Sequence, residues 1–181
     1  MKPSGIVIVS VAATLVLIIA AAAVAIVSGV YNVAADAPHI ALVAKVIAIA
    51  RERSIEMRAS GIKVPPLDDP KMIAEGAEHY GAMCTGCHLA PGMHENEMRP
   101  GLNPKPPILS SLAAEDPAEQ FWIVKHGLKM TAMPAWGATH TDEEIWNIVA
   151  FLQKLPGMSP ARYRALTRNA NAHHDEMEMK E

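Results

Sequence analysis

Cys84-Thr85-Gly86-Cys87-His88 decides how this chain is read. Cys-x-x-Cys-His is the spacing at which a c-type haem is attached. Two thiols three positions apart lie on one face of a helical turn, where they can bond the two vinyl groups of one porphyrin. The next residue, His88, then brings its imidazole under the ring as a proximal iron ligand. Cys84 and Cys87 are the two cysteines of the chain. No third thiol is left for a zinc site, a disulfide framework or a nucleophile with a partner. A thioredoxin-like dithiol would need alternating strands and helices, and nothing in this sequence reads as a strand.

Outward from the motif the pattern is helical. Asp69 is placed to cap a helix whose first position is Pro70; that helix runs from Lys71 to about Met83 and delivers the motif at its end. A second helix covers Pro117 to about His126 and stops at Gly127. A third starts at Thr141, with Glu144 three residues on as the other half of a capping box. It runs to about Leu155 and stops at Pro156-Gly157, with Ile145, Val149 and Leu152 on one stripe that Trp146 and Ala150 widen. Pro91 to Pro107 forms a proline-rich loop without regular pattern.

The sixth iron position separates an electron carrier from a haem open to gas or peroxide. Downstream candidates are Met130, Met133, His126 and His140. Met133 precedes a proline on an irregular loop, where a thioether can approach an iron face-on and Pro134 stiffens the approach. Methionine beside proline means little alone in a chain with 11 methionines, most of which serve as filler.

Cys-x-x-Cys-His, the step Pro107-Ile108-Leu109, the segment Met133-Pro134-Ala135-Trp136-Gly137 and a capped last helix together resemble class I c-type cytochromes. The closer likeness is to membrane-anchored mono-haem cytochromes c of proteobacteria, over about residues 68–156. The resemblance implies an all-α fold of three main helices around one covalent haem c. It implies His88 as proximal and Met133 as distal iron ligand, with Cys84, Cys87, Pro107 and Trp136 completing the cofactor site. The Pro107 carbonyl would accept a hydrogen bond from His88 Nδ1. Gly76 and Tyr80 match the positions where the first helix crosses the last, with Trp146 or Val149 opposite.

Ahead of the haem motif, Ile6 to Val30 is a 25-residue apolar run, long enough to cross a bilayer core. A secretory signal has an apolar stretch of only about 7–15 residues, which favours a retained anchor over cleavage near Ala35-Asp36-Ala37. Lys2 precedes the run, and the positive-inside rule then puts the rest of the chain outside the cytoplasm. Covalent haem attachment in bacteria requires the same side. Residues His39 to Ser60 read as a helical arm, with Gly61 as C-cap and Val64-Pro65-Pro66 opening a stiff linker. Ile40 to Ala50 is apolar nearly all round, which points to membrane or partner contact; Arg51 to Arg58 is charged. The tail from Asn169 holds His173, His174, Met177 and Met179, a set read as a charged terminus rather than a copper site.

The chain of 181 residues has a net charge of −3 and 4% aromatic residues, which gives no argument for nucleic-acid binding. Charge is uneven: residues 1–64 sum to +3 and residues 65–181 to −6. An acidic soluble portion fits a partner with a basic docking face. The expected organisation is an anchor over 1–35, an arm and linker over 36–66, a haem domain over 67–158 and a flexible tail over 159–181. The expected role is single-electron transfer at the bacterial inner membrane, with the haem domain on the periplasmic side. The donor would be a dehydrogenase or quinol-oxidising complex and the acceptor an oxidase or reductase, either as a tethered shuttle or as a complex subunit. The opposed readings are a peroxidase- or reductase-type haem enzyme and a haem-based sensor. Both need an open sixth site, and the enzyme needs a distal acid or base as well.

Overall fold

Residues Pro3 to Val27 form one helix, α1. The stretch carries no charged group, so nothing in it draws the backbone toward water. At 1.5 Å per residue its 25 residues span about 37 Å, more than the roughly 30 Å of a bilayer core. Its Ile, Val and Leu side chains point outward and uncovered, as a helix facing lipid requires. The helix ends before the apolar run does, where the Ser28 hydroxyl donates to the Ala25 carbonyl at 3.2 Å. The span is therefore displaced toward the N-terminus from the expected Ile6–Val30. This computed structural model describes residues 3–167, and the expectations for Lys2 and for the tail from Asn169 lie outside them. The chain divides into two compact units at Pro38/His39.

The second unit begins with the arm. Helix α2, Ala41–Ala59, stops at Ser60, whose N–H donates to the Glu56 carbonyl. Gly61 was expected as its C-cap, but the cap is Ser60, and the φ of Gly61 is not positive. A plain right-handed last turn closes the helix instead. Ile55 and Ala59, four apart on one face, are buried. They bring α2 against α5, Pro117–His126, so the arm and the haem-motif region share one compact unit.

Helix α3, Pro70–His79, is capped as expected by the Asp69 carboxylate, which accepts from the Lys71 N–H at 2.8 Å. It does not continue as an α-helix to Met83. Tyr80–Cys84 forms a π turn, and α4, Thr85–His88, follows directly. An extra residue in a turn rotates everything after it by about 100° about the helix axis, which redirects the motif relative to α3. Helix α6, Asp142–Leu152, carries the predicted capping box between Thr141 and Glu144 and crosses α3.

Gly76 makes the crossing possible. A methyl group there would overlap the Asn147 backbone carbonyl and lie 2.9 Å from Phe151 Cβ. The opposing surface is thus Asn147 and Phe151, not Trp146 or Val149. Trp146 instead stacks on Phe121 of α5, with centroids 4.2 Å apart. Tyr80, Ile145, Ile148, Val149, Phe151 and Leu155 form the fully buried centre, where Tyr80 donates to the Leu89 carbonyl at 2.7 Å. Residues 160–167, expected within a flexible tail, are helical. Tyr163 holds them, buried with its ring 6.1 Å from Phe151 and 6.4 Å from Tyr80. Among the described residues there is no strand.

Candidate haem site

A cavity of about 800 Å3 opens between α4, the loop 104–109, α5, the loop 128–136 and the end of α6. Cys84, Cys87 and His88 stand on one side of it, and Met133, Pro134 and Trp136 also line it. Both cysteines are half-buried and form no disulfide with each other. Burial, reinforced by the neighbouring Cys87, pushes the Cys84 thiol up to about 12.

His88 Nδ1 lies 2.9 Å from the Pro107 carbonyl oxygen. A carbonyl only accepts, so Nδ1 carries the proton and Nε2 keeps its lone pair for a metal. Burial holds the ring below its ordinary pKa, against the pull of the Pro107 carbonyl and with a further push from Arg99. The imidazole is therefore neutral, as an iron ligand must be.

Arg99 braces the loop that carries this carbonyl, and sequence reasoning missed it. It is 5% exposed and donates to the Pro106 carbonyl and to Glu95, each at 2.7 Å. Lys105 holds the same Glu95 at 2.9 Å. The one sequence signal was the Glu95-to-Arg99 spacing, which inside a proline-rich loop carries no helical meaning.

Of the four candidates for the sixth ligand, Met133 alone lines the cavity. It is half-buried and packs against the core. Met130 is 73% exposed at φ +59°. His126 is exposed beside the Trp122 ring, and His140 packs edge-on to Trp136. The Met133 loop closes on itself. Leu128 N–H donates to the Met133 carbonyl at 3.2 Å, and the Thr131 hydroxyl accepts from the Met133 N–H at 3.0 Å. Gly127 sits at φ +63°, with Met133 O and Pro134 C where a side chain would start.

Apolar walls come from Met83, Leu109, Ile123, Val124, Leu128 and Leu152. Volume, apolar walls, two thiols, an imidazole with a free Nε2 and a thioether together fit a porphyrin. Glu52, Glu56, Glu115, Asp116 and Glu119 add acid to the lining. Burial raises the Glu119 pKa, with Asp116, Glu56 and Glu115 adding to it.

No curated protein and no solved structure matches the chain. Residues 71–152 match the family model described as cytochrome c oxidase, cbb3-type, subunit III. The matched segment contains the Cys-x-x-Cys-His turn, Pro107, the Met133 loop and α6. Residues 71–152 are accordingly a c-type cytochrome domain, with covalently bound haem c for electron transfer, in a chain that also bears an apolar N-terminal helix of membrane-spanning length.

Proposed function

We propose that the chain is a membrane-anchored mono-haem electron carrier with a closed, six-coordinate site. Cys84 and Cys87 form the two thioethers, His88 is the proximal ligand and Met133 the distal one. The observation that carries this reading is the shared cavity: it is lined by His88 and, of the candidate sixth ligands, by Met133 alone. When bound, the haem supplies a one-electron ferric/ferrous couple, whose potential a methionine ligand raises. The Pro107 carbonyl fixes the His88 ring and its tautomer. Ile123, Val124, Leu128 and Leu152 keep water from the site. The acidic residues at the cavity attract a basic docking face on a redox partner.

The span retains the chain at the cytoplasmic membrane, with the haem domain on the periplasmic side where haem is attached. Donor and acceptor are a dehydrogenase or quinol-oxidising complex and an oxidase or reductase. The exposed, largely apolar first half of α2 with the preceding Ile40, and the likeness to an oxidase subunit, favour a place within a membrane complex. A carrier needs no open iron position, whereas an enzyme or sensor does. Intact mass of the denatured protein should show one added haem, and the reduced native protein should not bind CO. Haem extractable with acid acetone, or rapid CO binding by the untreated protein, would overturn the carrier reading.

A further inference from the structure

The haem cavity is not enclosed by residues 71–152 alone. Arg51, Glu52, Ile55 and Glu56 of α2 also line it. The charged half of α2 is therefore no plain spacer. Arg51, Ile55 and Ala59 follow one another at four-residue steps on a single face; Ile55 is 6% and Ala59 3% exposed.

The charges of the cavity make one of these residues significant. The lining holds five carboxylates, from Glu52, Glu56, Glu115, Asp116 and Glu119, and two side-chain cations, Arg51 and Lys105. Lys105 is committed to Glu95 at 2.9 Å. Among the described residues, the Arg51 guanidinium bonds only its chain neighbour Glu52, at 3.4 Å, a length at which the bond is weak. A haem brings two carboxylates of its own into this acidic surrounding. Arginine is the side chain best suited to hold a carboxylate, with a planar fork that matches it.

We propose that α2 is a wall of the haem site, with Ile55 sealing the cavity and Arg51 pairing with a haem carboxylate. The inference rests on the haem reading given above. It makes the arm a determinant of the redox potential as well as a tether. A cation at the haem carboxylates disfavours the more positive ferric state, so its removal lowers the midpoint potential.

The test is a redox titration of the full-length, detergent-purified holoprotein, with resonance Raman spectra of the same samples. Arg51→Gln should lower the midpoint potential and shift the haem-propionate bending band. Arg51→Lys should restore most of the potential. Arg58→Gln, on the same helix and bonded to Ser54 away from the cavity, should change neither. If Arg51→Gln moves potential and Raman band no more than Arg58→Gln does, in protein with attached haem and an intact iron–sulfur band, the inference is wrong. If the wild-type protein lacks covalent haem or that band, the haem reading fails and takes the inference with it.

Discussion

His88 reaches the cavity from a wall that is contiguous in sequence, whereas Met133 reaches it from one assembled out of distant parts. The first wall is a single helical turn with its thiols and imidazole within five residues. Behind it stands the Pro106-Pro107 step, with the Pro107 carbonyl 2.9 Å from His88 and the Pro106 carbonyl held by Arg99, which also bonds Glu95, each at 2.7 Å. The second is a loop with no helix or strand at Met133. It depends on one hydroxyl, one turn bond and the positive φ of Gly127. A chemically demanding attachment must be written locally, because the reacting groups need fixed mutual geometry. A thioether ligand can be presented by a loop, provided the loop has one defined shape. The second wall should therefore be the easier to disrupt.

The largest effect should come from Gly127→Ala. Holding a non-glycine residue at φ +63° costs about 1–3 kcal/mol, and the new methyl would meet Met133 O at 2.7 Å. The loop must move, and Met133 with it. The expected outcome is a lost or weakened far-red iron–sulfur band with the covalent haem retained. An unchanged band would mean that the loop tolerates the shift and that the two walls are equally firm.

A smaller effect belongs to Arg99→Met. It removes charged hydrogen bonds to Pro106 O and Glu95, an effect of about 1.5–3 kcal/mol each at most. Attachment and the iron–sulfur band should survive, because Pro107 still holds His88. The iron–histidine stretching band and the midpoint potential should shift as the bracing loop loosens. If both stay in place, Arg99 serves stability alone.

This asymmetry also explains what was legible in the sequence. The haem turn, the caps at Asp69 and Thr141 and the helix Pro117–His126 rest on interactions within a few residues, and the structure has each of them. The π turn at Tyr80–Cys84 breaks the helical period with only Gly81 inside it, and a lone glycine within a helical pattern does not specify a π turn. Gly76 was recognisable as a point of close approach, but its partners Asn147 and Phe151 depend on the rotation of α6, which the stripe of apolar residues fixes only to within a residue or two. Arg99 was missed although its partners Glu95 and Pro106 are near in sequence, because an irregular proline-rich loop has no period to place them, and the inner face of α2 was missed because it faces residues far off in the chain. The exposure of Met130 against the half-burial of Met133 likewise follows from loop shape rather than from composition.

The central claim is that His88 and Met133 close the iron between them. The most direct measurement is the near-infrared and visible spectrum of the ferric holoprotein, compared between Met133→Ala and Met130→Ala. Met133→Ala should abolish the far-red iron–sulfur band, lower the midpoint potential and let CO bind the ferrous form. Met130→Ala should leave all three as they are and cost well under 1 kcal/mol, since its 73% exposed side chain leaves almost no buried surface to lose. Loss of the band in the Met130 variant with its retention in the Met133 variant would contradict the account.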